Sequence, residues 1–403
     1  MAVRVEAIQF NHDAAGGSTD ALSIRRNAAT PATVPEWQHG VSTDAADSPV
    51  AYAIEETRGQ IVTLRVRFRR TDPNLDSVEI RAVDPAGSPR GCLDALLRAL
   101  GLIPFLPAPS NNVLGAVRPR SVSFRPDDLT DFETFELDGF RIASAGVGVY
   151  ETRWQWQYRV GPLEPWQDID ITAHEVFVTL RTPTAPWQQT PLSPGNTQLP
   201  WVDVLRHACT WASGASTADD AAARITRAVH DLGPDTIEYD CPGGGSTRYA
   251  FPSFNATAFL ERLAGGIGNG RYVNCTDCAT IVSTFANAVG CDLWQSRMGY
   301  FFGLNPLLAI GSSTWQTACN WGAFSYHEVA WEGQCTAEEE VFDACLQVDG
   351  GSDPTAPPHS ALLPASLRFG EPGDGDYRDR LATPAGRPSC EPQTATRQRR
   401  SVF

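Results

Sequence analysis

Tyr272-Val273-Asn274-Cys275-Thr276-Asp277-Cys278-Ala279, continuing through Thr280-Ile281-Val282-Ser283-Thr284-Phe285-Ala286-Asn287-Ala288-Val289-Gly290, reads as a short extended lead into a helix. Apolar side chains at Cys278, Ile281, Val282, Phe285 and Val289 fall at helical spacing, so one face is expected to be buried. Asn274 suits the N-cap, Asp277 is the acidic partner three residues on, and Gly290 marks the C-terminal stop. Cys275 then lies in the first turn, where free backbone N–H groups and the helix dipole favour a thiolate. Cys278 sits on the apolar stripe of the same helix and is the rival nucleophile.

A nucleophilic thiol needs a base and a group to orient that base. Two closing strands are expected at Ala323–Trp331 and Glu340–Val348, separated by a turn-like stretch around Cys335. Paired as a symmetric hairpin, they set His327 directly opposite Asp343. Opposed residues on one face lie about 4.5–5.5 Å apart at Cβ, within reach of an imidazole–carboxylate hydrogen bond. A slip by one residue would turn one partner to the other face. His327 shares its strand face with Val329 and Trp331, so it is expected in apolar company.

These residues carry a resemblance. Asn274-Cys275-Thr276-Asp277-Cys278-Ala279, with Ala288-Val289-Gly290 closing the helix, resembles the nucleophile segment of the transglutaminase-like superfamily, in which Cys-x-Asp-x-Ala opens the helix. Tyr326-His327-Glu328-Val329-Ala330-Trp331 resembles the family's His strand, with Val329 where an aromatic is usual and Trp331 two residues later. Val341-Phe342-Asp343 resembles its Asp strand, without the proline that often follows. The resemblance covers roughly residues 200–350.

The resemblance implies an α+β papain-like domain, with Cys275 as nucleophile, His327 as base and Asp343 as orienting group. Its Cys-x-Asp-x-Ala register selects Cys275 over Cys278. The oxyanion hole would combine the Cys275 backbone N–H with a second donor, for which Asn274, Tyr272 and a loop tryptophan are candidates. The implied activity is thiol-dependent acyl transfer on protein amide bonds through a thioester, with a cysteine peptidase or amidase as the leading form. A cross-linking transglutaminase, a deamidase and an inactive binding scaffold stand as alternatives.

Composition bounds the rest. The 403 residues are 42% hydrophobic, enough for two or three domains with their own cores. A net charge of −15 without a basic stripe argues against nucleic-acid or anionic-membrane partners; a protein or peptide substrate is expected instead. No apolar run reaches membrane-span length and the N-terminus has no signal pattern, so a cytoplasmic location is expected. Every basic side chain other than histidine is arginine, and there is no lysine. A GC-rich bacterial genome accounts for this, as does an acyl-transfer enzyme that offers no amines of its own.

The ten cysteines are expected as free thiols. Cys275 and Cys278 form a lone C-x-x-C with no second ligand pair at zinc spacing, so neither metal nor cofactor is expected. The glycines from Gly265 to Gly270 lack the Lys-Ser/Thr ending of a phosphate loop.

Residues 1–195 read as antiparallel β-sandwich of immunoglobulin-like type, one large or two small, with a possible role in binding a protein partner. Strands are expected at Val3–Phe10, Ala21–Arg26, Val50–Glu56, Ile61–Arg69, Ser77–Val83, Ser121–Phe124, Thr134–Leu137, Phe140–Ala143, Thr152–Val160 and Ile171–Arg181. Trp154, Trp156 and Tyr158 alternate along one of them and are read as core. A helix is expected at Cys92–Leu100. After a Pro-rich linker over Thr182–Pro200 comes the catalytic region, 200–349, opening with helices over Trp201–Ala212 and from Ser216 to Leu232. Residues 350–403, rich in Pro, Gly and Asp, are expected as a tail that wraps the surface or stays mobile.

Overall fold

The computed structural model describes residues 2–12, 18–19, 21–85, 112–187 and 198–403. The protein is mostly β, with a few helices and several sheets. It divides into two compact units, one built from Met1–Ile24 and Ala32–Thr179, the other from Arg25–Pro31 and Leu180–Phe403. The helix expected at Cys92–Leu100 lies outside the described residues.

Unit 1 is built on strands β1 (Val3–Gln9), β2 (Ser18–Thr19), β3 (Trp37–Gln38), β4 (Pro49–Ala53), β5 (Ile61–Arg70), β6 (Ser77–Val83), β7 (Ala116–Ser123), β8 (Glu133–Asp138), β9 (Gly148–Arg159) and β10 (Gln167–Thr179). They form one hydrogen-bonded path, β3-β1-β5-β8-β7-β6-β9-β10-β4, with β2 added on β5. Most pairs are antiparallel, but β4 runs parallel to β10 and β2 parallel to β5. This departs from the purely antiparallel sandwich expected. Alternation specifies that a segment is a strand and which face is buried, but not its neighbour or direction.

Two expected strands are not strands. Ala21–Arg26 makes only isolated bridges at Arg25, and Phe140–Ala143 runs into a short helix at Ile142–Ala145. The β9 stripe is core: Trp154 and Trp156 are fully buried and Tyr158 nearly so. Each indole still finds an acceptor, Trp154 Nε1 on Gly115 O at 2.9 Å and Trp156 Nε1 on Thr172 Oγ1 at 3.0 Å, as buried tryptophans require.

Unit 2 sets a central helix, Cys275–Ala288, against a five-stranded antiparallel sheet. The strand order is Ala365–Arg368, Glu340–Phe342, His327–Trp331, Trp294–Met298, Pro392–Gln398. Helices Val202–Trp211 and Ala218–His230 also pack on the central helix. Their starts fall near the expected ones, with Thr217 rather than Ser216 capping the second by accepting from Asp220 N. Covered by sheet and helices together, the central helix is buried all round rather than on one face. Gly290 ends it with φ +91°, and a Cβ there would lie 2.7 Å from Arg181 Cβ, so glycine is required.

The stretch from 350 onward is no tail. It contributes the Ala365–Arg368 strand next to Glu340–Phe342, the short helix Tyr377–Leu381, and the edge strand Pro392–Gln398 on Trp294–Met298. Its Pro and Gly content marks turns between these pieces, and the pairing partners are remote in sequence, so local composition could not reveal them.

The expectation of wholly free cysteines is also corrected. Cys241 and Cys319 form a disulfide across 78 positions with Cα atoms 5.3 Å apart. Among the described residues no helix is long and apolar enough to cross a membrane.

Candidate active site

The helix start follows from its cap. Asn274 Oδ1 accepts from Asp277 N at 3.0 Å and Asp277 Oδ2 accepts from Asn274 N at 3.1 Å, closing both halves of a capping box. Asp277 does more than cap. Its carboxylate also takes the backbone N–H groups of Arg248, Tyr249 and Ala250 at 2.8–3.2 Å, tying a remote loop to the first turn. Burial pushes its pKa up to about 6, against the pull of these backbone donors.

Cys275 is the first residue of the helix, 6% exposed, and lines a cleft of about 470 Å³. Cys278, one turn deeper, is buried and shares a thiol hydrogen bond with Cys345. Only Cys275 of the two reaches the cleft.

His327 opens its strand and is fully buried. Its Nε2 lies 3.0 Å from Asp343 Oδ2, while Nδ1 has no hydrogen-bond partner. The contact forms in a register different from the symmetric hairpin: Ala330 pairs with Phe342 and Trp331 with Val341, two residues from the expected alignment. An even shift keeps every side chain on its face, and Asp343 lies just beyond the paired segment, where Pro364 O takes its N–H.

Asp343 is locked. Oδ1 accepts from Cys345 N at 2.8 Å and Leu346 N at 3.3 Å, and Oδ2 accepts from Tyr377 Oη at 2.8 Å. Burial is the largest influence on His327 and opposes its charge. The Asp343 charge and hydrogen bond, followed by the nearby Cys275 thiol, outweigh it and push the pKa up to about 10. The ring is therefore poised as an imidazolium between carboxylate and thiol. Phe324 stacks on it, with centroids 5.5 Å apart and planes 14° from parallel, and keeps water off that face.

The candidates for an oxyanion donor separate. Both amide hydrogens of Asn274 are committed, to Gly245 O at 2.7 Å and Thr247 Oγ1 at 2.9 Å, and its backbone N–H goes to Asp277. Tyr272 pairs with Glu238 in a short parallel bridge and is not among the residues lining the cleft. Tyr239 and Trp321 do line it, their rings 6.1 Å apart and inclined at 62°. Burial, then the neighbouring Cys275, raises the Tyr239 phenol well above its ordinary value, so it stays a neutral donor.

Three functional-looking residues escaped sequence reasoning. Tyr239 ends the two-residue strand Glu238–Tyr239, too short to leave a periodic signal. Tyr377 and Arg400 come from the C-terminal stretch. Arg400 Nη1 is buried beneath the site, bonded to Glu328 Oε1 at 2.6 Å, Gln295 Oε1 at 2.8 Å and Thr280 Oγ1 at 3.0 Å. Glu328 in turn accepts from Thr276 Oγ1 at 2.9 Å, so this charge pair joins the residue after Cys275 to the residue after His327.

No cluster of His, Cys, Asp and Glu with the makings of a metal site occurs among the described residues. No family model matches the chain, and no curated protein matches it. Among solved structures, the crystal structure of red sea bream transglutaminase is similar over 75% of this chain at 10% identity, with a TM-score of 0.36. The alignment spans 50% of that transglutaminase chain. A likeness this loose carries no argument about activity, and the chemistry rests on the geometry.

Proposed function

We propose that unit 2 is a thiol enzyme of transglutaminase-like, papain-like type that transfers acyl groups from protein amide bonds through Cys275, His327 and Asp343. The observation that carries this reading is the divided imidazole of His327. Nε2 is held by a fully bonded carboxylate, and Nδ1 is left unpartnered on a ring that interacts with the thiol at a cleft.

In the proposed cycle the Cys275 sulfur attacks the amide carbonyl carbon, and the carbonyl oxygen takes the negative charge. The Cys275 backbone N–H, a first-turn donor without an intrahelical partner, and the Tyr239 hydroxyl are the proposed oxyanion donors. His327 delivers the proton from Nδ1 to the departing nitrogen as the C–N bond breaks, leaving a thioester. Water, deprotonated by the now neutral ring, releases the acid and restores the thiol. Asp343 fixes the ring and supports its charge throughout.

Hydrolysis is the favoured outcome; transfer to an amine is the second reading, supported by the absence of lysine from the chain. The presence of Cys275, His327 and Asp343 together, with the His327–Asp343 bond formed, weighs against an inactive scaffold. A cytoplasmic location is part of the proposal, but the Cys241–Cys319 bridge weighs against a reducing compartment. Unit 1 is proposed as a protein-binding module. The test is incubation with casein and a fluorescent primary amine. New casein fragments without label are expected; label without fragments replaces hydrolysis by amine transfer, and neither product contradicts the proposal.

A further inference from the structure

The cleft in front of Cys275 has a composition unusual for its surroundings. The chain carries 47 acidic and 32 basic residues, yet none of the residues lining this cleft is charged. Five of them are aromatic: Tyr239, Phe301, Trp321, Phe324 and Tyr326. Phe324 and Tyr239 form the buried part, whereas Phe301 is 82% exposed and Trp321 41% exposed.

The backbone that carries the exposed rings is held in place. Phe301 has φ +46°, a left-handed conformation rare and strained for a bulky side chain, of the kind that persists where the surroundings enforce it. Its N–H is bonded to Ser325 O. Trp321 follows the disulfide residue Cys319 closely, and the bridge fastens its segment to Cys241, two residues after Tyr239. Gly245 adds close approach: a Cβ there would press on the Trp321 ring at 3.1 Å. The cleft is thus a largely aromatic slot, lined by no charged side chain, beside the proposed nucleophile.

We infer that this slot selects substrates carrying an uncharged aromatic or large apolar side chain next to the reactive carbonyl, and rejects charged ones. The inference rests on the reading of Cys275 as acyl acceptor and adds the substrate class. An apolar ring entering the slot leaves water for aromatic faces and edges. A carboxylate, guanidinium or ammonium entering it loses its hydration and meets no charged side chain among the residues that line it. The small pocket behind the disulfide differs in this respect, since Glu238 lines it.

The test uses the full chain and two reagents. Iodoacetamide alkylates a reactive thiol without engaging the slot and reads the nucleophile alone. A series of N-acetyl-aminoacyl chloromethyl ketones, with Phe, Leu, Asp or Arg as the aminoacyl residue, reads slot and nucleophile together; the Cys275 sulfur displaces chloride to form a thioether. Each rate is divided by the same protein's iodoacetamide rate. The Phe and Leu reagents are expected to react about 30-fold faster than the Asp and Arg reagents. In Trp321→Ala and Phe301→Gly, both changes at exposed rings, that ratio is expected to fall about tenfold. Equal rates across the series, or faster reaction of the charged reagents, with iodoacetamide labelling intact, overturn the slot and leave the thiol reading standing. Failure of iodoacetamide to label Cys275 selectively overturns the thiol reading, and the slot with it.

Discussion

The hydroxyl of Tyr377 donates to Asp343 Oδ2 at 2.8 Å, on the same oxygen that faces His327 Nε2 at 3.0 Å. Asp343, the proposed orienting residue, is thus itself held by a segment with the composition of a tail. A hydrogen bond to a charged group contributes about 1.5–3 kcal/mol. Tyr377→Phe is expected to lower kcat about tenfold or more with KM nearly unchanged, since the phenol touches no substrate. Steady-state kinetics on the product of the casein reaction check this; an unchanged kcat would remove Tyr377 from the account.

Arg400 and Glu328 give a second prediction. Both side chains are buried, at 5% and 0% exposure, and 2.6 Å apart. Removing one member of a buried pair costs about 3–5 kcal/mol, because the other charge is left without its partner. Arg400→Met is expected to be destabilised by that amount in urea titrations. The double variant Arg400→Met/Glu328→Gln should recover much of the loss. A double variant as unstable as the single one would show that packing of the arginine stem, not the charge, matters.

The pH dependence of stability follows from His327. Its folded pKa of about 10 lies above the ordinary value of 6.5. A group raised on folding binds its proton more tightly in the native state, so its stabilisation is complete below pH 6.5 and is lost as pH rises through about 10. Urea titrations between pH 6 and 10.5 should show wild type losing stability across this range more steeply than His327→Gln. Parallel curves for the two proteins would contradict the ion pair.

The Cys241–Cys319 bridge closes a loop of 78 positions. On chain-entropy grounds such a closure stabilises by about 4 kcal/mol. Dithiothreitol, or Cys319→Ser, is expected to lower Tm clearly, and non-reducing peptide mapping should recover the two cysteines in one fragment. An unchanged Tm and two separate peptides would remove the bridge, and with it the anchor of the Trp321 loop.

What could be read from the chain was local or periodic. Asn274, Asp277 and Gly290 mark a helix by capping chemistry that acts within a few residues. His327 and Asp343 were found by alternation, and they meet although the true register is shifted, because a shift of two preserves the face. The rest depends on contacts far apart in sequence. Tyr377, Arg400, the 78-position disulfide and the parallel β4/β10 pair leave no local trace, because neither composition nor period names a distant partner. The burial of the whole central helix leaves no local trace for the same reason: Thr280 and Ser283 look solvent-facing but bond to backbone carbonyls within the helix, Thr280 to Thr276 O at 2.7 Å and Ser283 to Ala279 O at 2.8 Å.

The most direct test of the central claim is the alkylation rate of each thiol at neutral pH, followed by peptide mass spectrometry, in wild type and in His327→Ala. Cys275 is expected to react far faster than the buried thiols at Cys278, Cys291 and Cys345, and to slow by about 100-fold without the imidazole. A Cys275 that reacts no faster than its neighbours, or whose rate is indifferent to the loss of His327, would contradict the account.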